Sequence, residues 1–109
     1  MRGTLSLKTV TTAGTPVQVS TTNIRCSQIT IQPLRGLGAS TVAPTQNSGY
    51  IYLMNSSTAK GAASTNIVAA LASGADAVML RAEQINGFNL ADFYLDADTS
   101  GDGAIISYA

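Results

Sequence analysis

Gln28-Ile29-Thr30-Ile31-Gln32 sets two β-branched apolar residues between three polar ones, a strict period of two. Successive side chains of a strand point to opposite faces, so this stretch reads as a half-buried strand with Ile29 and Ile31 toward a core. The same alternation recurs outward in both directions. Leu5 and Leu7 alternate with Ser6 and Lys8, and Val17 and Val19 with Gln18 and Ser20. Val78 and Leu80 alternate with Ala77, Met79 and Arg81, and Phe93 and Leu95 with Asp92, Tyr94 and Asp96. Between the runs lie Ala13-Gly14-Thr15-Pro16, Gln46-Asn47-Ser48-Gly49 and Thr99-Ser100-Gly101-Asp102-Gly103, all rich in turn-forming residues. The pattern predicts strands near 4–10, 16–20, 27–32, 49–54, 77–82, 91–95 and 103–108. Short strands joined by turn-rich links predict an all-β, antiparallel sandwich or barrel, jelly-roll-like, of about 7–8 strands.

Two stretches depart from the alternation. Residues 34–46 mix Gly, Pro and small side chains without a period, which reads as a long loop that contacts something or moves. Residues 59–73 are rich in Ala and predict at most one short helical turn within Ala62–Ser73, with Ile67, Val68 and Leu71 on one face and Gly74 as its stop.

A chain of 109 residues has room for a single core, so residues 1–109 are expected to form one β domain, with 1–12 as a possible N-terminal arm. Only 11% of the residues are charged, against about a quarter in ordinary soluble domains. Ser and Thr supply the polarity, 24 in all, and of the 45% hydrophobic residues 16 are Ala, so the core is thin. There is no His, which excludes imidazole bases, Ser-His or Cys-His nucleophiles and His-bound zinc. The single cysteine, Cys26, excludes an intrachain disulfide and a thiolate metal cage. It reads as a small buried apolar filler rather than a reactive thiol. No apolar run approaches the roughly 20 residues that span a bilayer. The start, Met1-Arg2-Gly3-Thr4, has no apolar segment behind its one charge, which predicts no signal peptide and a chain kept in the cytoplasm.

The net charge of zero conceals an order. Residues 1–75 hold Arg2, Lys8, Arg25, Arg35 and Lys60 with no acid, whereas residues 76–109 hold Asp76, Glu83, Asp92, Asp96, Asp98 and Asp102 against Arg81 alone. The split is either a clustering of few charges or a polarity that lets acidic and basic surfaces meet between copies. Five dispersed cations make no basic stripe, so nucleic acid is not an expected partner.

Asp96-Ala97-Asp98-Thr99-Ser100-Gly101-Asp102-Gly103 has the opening spacing of a calcium loop, with Asp96, Asp98, Ser100 and Asp102 as candidate oxygen ligands. The twelfth position is Ser107 where a bidentate Glu belongs, and strand-like segments flank it, so a hairpin turn is the favoured reading. Arg35-Gly36-Leu37-Gly38 is a fragment of a phosphate loop without its Lys. No spacing selects a pair of catalytic carboxylates. The chain is read as non-enzymatic, with no cofactor. Tyr50, Ile51, Tyr52, Leu53 and Met54 are apolar on both faces. Tyr50, Tyr52 and Tyr94 are then either ordinary rim residues or the lining of a subunit contact, for which tyrosine suits well.

Several of these segments, taken in order, resemble small virion proteins of tailed bacteriophages. Ala13 to Ser20 with Cys26 to Gln32, Asn47 to Leu53, Ala72 to Leu80, and Phe93 to Gly103 with Ser107-Tyr108 are similar to that group's strand-and-turn pattern. The similarity runs from about residue 13 to 109; residues 33–46 are longer than the usual link, Leu53-Met54 departs from the usual strand end, and Met1 to Thr12 are additional. The resemblance implies a β domain on the outside of a phage head, a capsid decoration (cement) protein that stabilises the shell. It implies the major capsid protein as partner, a homo-oligomer with a trimer favoured, assembly in the host cytoplasm, and no membrane. The 4–10 arm and the 34–46 loop are the expected contact elements, with Leu5, Leu7, Leu37, Val42, Tyr50, Tyr52 and Tyr94 as the interface residues. Alternatives are a head-fibre or tail-associated phage protein, or a non-enzymatic carbohydrate- or calcium-binding module.

Overall fold

The computed structural model describes residues 3–38, 41–55, 57, 67–81 and 87–109. In chain order the strands are β1 (Gly3–Thr4), β2 (Lys8–Thr9), β3 (Val17–Gln18), β4 (Arg25–Cys26), β5 (Gln28–Pro33), β6 (Ile51–Met54), β7 (Ile67–Leu71), β8 (Val78–Arg81), β9 (Phe88–Asn89), β10 (Tyr94–Ala97) and β11 (Gly103–Tyr108), with a 3-10 turn at Leu90–Asp92. All pairings between strands are antiparallel. One sheet runs β1-β11-β5-β8, with β2 also on β11; a second runs β3-β10-β6-β7; β4 and β9 form a short ribbon. The fold is all-β and sandwich-like, its strands divided between separate ladders among the described residues rather than closed into one barrel.

The quoted alternation does what its period dictates. Ile29 and Ile31 are buried, and across the ladder Ile31 faces Ile106 and Pro33 faces Ala104. From the second sheet Ile51 and Leu53 of β6 lie opposite Ala97 and Leu95 of β10, all four buried. These side chains join Val10, Val19, Cys26, Leu71, Leu90 and Phe93 in one contiguous hydrophobic cluster. Cys26 is buried and forms no disulfide.

Residues 67–71 correct the helical expectation: they form β7, paired with β6 from Ile51↔Leu71 to Met54↔Ile67, and residues 62–66 lie outside the described part. Alanine favours helix only while nothing better is offered; here Ala69 and Ala70 pair with Leu53 and Tyr52, and the sheet wins over propensity. Gly74 sits in the turn after β7 rather than at a helix end. The strand expected over 91–95 begins later. Asn89 Oδ1 accepts from the Ala91 N–H at 3.1 Å and caps the 3-10 turn, so β10 starts at Tyr94. The strand expected over 4–10 is broken into β1 and β2, both on the outer edge of β11. Gly103 makes that edge possible. A Cβ at this position would collide with the Lys8 carbonyl oxygen, so only glycine lets the two backbones approach.

Candidate functional site

The acidic hairpin between β10 and β11 is where the two sheets are fastened. Asp102 is fully buried, and its carboxylate accepts from the Ser48 N–H at 2.9 Å and the Gly49 N–H at 2.9 Å. Arg35 Nε stands 3.2 Å from Asp102 Oδ1, and Arg35 Nη2 donates to the Ser100 carbonyl at 2.9 Å. Beside them Asn47, also buried, behaves as a backbone segment in miniature. Its Nδ2 donates to the Gly103 carbonyl at 2.9 Å and its Oδ1 accepts from the Gly103 N–H at 3.0 Å, while Ser73 Oγ donates to the Asn47 carbonyl. A buried carboxylate and a buried amide are costly unless each has its partners, and here they are supplied mostly by main-chain groups. Four segments converge on this clasp: 34–35, 47–49, 73 and 100–103.

That geometry reassigns the four candidate calcium ligands. Asp96 Oδ1 accepts from the Gly14 N–H at 2.8 Å and from its neighbour Ala97 N–H at 2.8 Å. Asp98 Oδ2 accepts from the Tyr52 hydroxyl at 2.9 Å, and Ser100 Oγ accepts from the Ala13 N–H at 2.9 Å. With Asp102 turned to Ser48, Gly49 and Arg35, the four side chains bond outward to other segments, Asp96 and Ser100 both to residues 13–14. Among the described residues no group of three or more His, Cys, Asp or Glu is placed to hold a metal.

Arg35 and Asn47 were not singled out by their spacing. The charge order along the chain carries a partial signal: with no acid before Asp76, any ion pair of a first-half cation must reach into the second half. The pair Arg35–Asp102 is that meeting, and it takes place inside one chain.

The residues expected at an interface divide into two groups. Leu5 packs half-buried against the core cluster, and Leu7 is half-buried. Leu37 and Val42 stand out at 56% and 60% exposed. They belong to a stretch whose base is closed by an antiparallel bridge between Gly36 and Thr45. The Thr45 N–H donates to the Gly36 carbonyl at 2.9 Å and the Arg35 N–H to the Thr45 carbonyl at 2.9 Å, which closes its base. Arg35, at that base, ties the stretch to the clasp. Residues 39 and 40 of this stretch lie outside the described part.

On the outer side of β6, Tyr50 is exposed and Tyr52 half-buried, their rings near-parallel at 19° with centroids 6.1 Å apart. Burial, then the hydrogen bond to Asp98 and its charge, push the Tyr52 phenol up to about 12. Tyr94 is half-buried and lines an open cleft of about 700 Å³ with Asn55, Phe88, Asn89 and Asp92 among its walls. Phe88 and Phe93 form the floor as an edge-to-face pair, centroids 5.6 Å apart. Among the described residues its walls offer the amides of Asn55 and Asn89, the hydroxyls of Ser57 and Tyr94, and the exposed carboxylate of Asp92.

Comparison with protein-family models, with curated proteins and with solved structures finds no match to this chain.

Proposed function

We propose that the chain is a non-enzymatic structural protein of a tailed-bacteriophage particle, a decoration protein bound to the outer surface of the head with the major capsid protein as partner. The observation that supports this reading is that Leu37 and Val42, beside the bridge between Gly36 and Thr45, are the most exposed large apolar side chains among the described residues, on a lightly charged surface. Two large exposed apolar side chains beside a fastened base gain by burial against another surface, about 25 cal/mol per Å² covered. The sequence resemblance supplies the class of that surface, and the low charge leaves little repulsion between copies set side by side. Clamping adjacent capsid subunits requires contact area and rigidity and no reactive group.

The test is sedimentation of purified protein with mature heads and with procapsids of the phage that encodes it. Mature heads are expected to retain the protein. The double substitution Leu37→Asp and Val42→Asp is expected to lower retention at least about tenfold, while the melting temperature stays within a few degrees because both side chains are exposed. Absence of retention by either particle overturns the reading.

A further inference from the structure

We propose that residues 3–10 form an exchangeable edge strand, and that a second copy of this chain can supply the same segment to β11. The structure displays both parts of the exchange, the groove and the segment that fits it. The outer edge of β11 receives β1 and β2 through Gly3↔Tyr108, Thr4↔Ser107, Lys8↔Ala104 and Gly103↔Thr9. Between these pairs the Leu5 N–H donates to the Ile106 carbonyl at 2.8 Å. At the inner end Val10 is fully buried, donating to the Asp102 carbonyl and accepting from the Gly101 N–H, both at 2.8 Å. With the segment removed, β11 would keep an open edge, a socket the size of Val10, and a Gly103 whose missing Cβ suits one closely approaching carbonyl. Those demands are met by the sequence Gly3 to Val10 and by few others.

The connection to the rest of the chain decides whose segment sits there. Residues 11–15 leave the first sheet and turn back into β3 of the second. Thr11, Thr12, Gly14 and Thr15 are exposed, and the turn is closed by the Thr15 N–H on the Thr12 carbonyl at 3.0 Å. Gly14 has φ +87°, and open space surrounds the place where its Cβ would be. Ala13 and Gly14 N–H groups, bonded to Ser100 and Asp96, hold the reversal. Straightened, the six steps from Val10 to Pro16 span up to about 20 Å, enough to carry the strand onto a neighbour. The exchanged form keeps every contact of residues 3–10 and alters only the hinge, which makes exchange a low-cost route to a closed oligomer. The partner is a second copy because the socket is complementary to this segment. The inference does not rest on the virion reading: copies that exchange strands yet ignore heads would leave it standing.

A crosslink placed across the exchanged pair reads out which chain owns the strand. Thr4 Oγ1 and Ser107 Oγ are 3.2 Å apart, close enough for a disulfide at those positions. The full chain with Thr4→Cys, Ser107→Cys and Cys26→Ala is refolded at low and at high concentration, oxidised, and run under non-reducing conditions. Exchange predicts covalently linked chains in the oligomeric fraction and internally linked monomers when dilute. Internal crosslinks alone at every concentration, or no oligomer at any, overturn it. A second variant guards against misfolding of the first. Gly14→Val penalises the left-handed hinge without filling occupied space, so the exchanged fraction at fixed concentration should rise about tenfold. An unchanged oligomer fraction with a lowered melting temperature would mean that the hinge is structural only, and the proposal fails.

Discussion

At Asp102 two donors and a cation meet a carboxylate with no exposed surface: the Ser48 and Gly49 N–H groups donate to it, and the Arg35 guanidinium is its ion-pair partner. Asn in its place keeps the shape but loses the charge and turns an NH₂ toward groups that themselves donate. Breaking one side of a buried charged cluster leaves the rest unpaired, so Asp102→Asn is expected to cost about 3 kcal/mol. Urea unfolding checks it; a shift in midpoint worth under about 1 kcal/mol at constant slope would show that the clasp contributes little. Tyr52 makes a prediction at the alkaline end. Its phenol ionises at about 12 when folded, against 10.0 ordinarily. Between those pH values the unfolded chain has released a proton that the folded chain retains, so stability falls as pH rises through this window and is untouched by this group below it. The difference in stability between the parent chain and Tyr52→Phe should therefore be level below pH 10 and shrink or change sign above it. A difference that stays level to pH 12 would contradict the assignment.

The elements differ in how openly the sequence announced them. β5 could be read almost residue by residue, because a sheet with one buried face forces period two on its strands. β11 was placed by its apolar run, Ile105 beside Ile106, and does not alternate. β7 was hidden: Ile67-Val68-Ala69-Ala70-Leu71 lies in an Ala-rich run, and its strand character comes from β6 alongside it. β4 and β9, each a two-residue piece, are too short to show any period. The clasp is harder still. Asp102 and Asn47 sit in turn-like strings that any surface loop could have, and burial is a property of what surrounds them. Only the charge order along the chain pointed to Arg35. The stretch at 36–45 was legible as an interruption, but its base pairing, Gly36 with Thr45, follows from tertiary position rather than from local pattern. The exposed pair Leu37 and Val42 was legible, because apolar residues in a Gly- and Pro-punctuated stretch have no strand face to hide on.

For the whole molecule the chain closes its own core before any partner is counted. Its radius of gyration is 13.2 Å, close to the value of about 13 Å expected for a chain of this length. Its exposed surface of 5781 Å² is also what a monomer of this mass shows, about 5,700 Å². On the proposed reading a complete monomer and an assembled form would be alternatives separated by concentration, and unfolding should register which one is present. Unfolding near 60 °C absorbs about 0.7 kcal/mol per residue, so a chain of 109 residues absorbs about 76 kcal/mol. If the folded species contains two or three chains and dissociates as it melts, mass action raises the melting temperature by about 3–4 °C per tenfold increase in protein concentration. A monomer melts at one temperature throughout. Scanning calorimetry over two decades of concentration is expected to give the sloping result above the concentration at which light scattering detects the oligomer. A flat line there would mean that contacts between copies add nothing to stability.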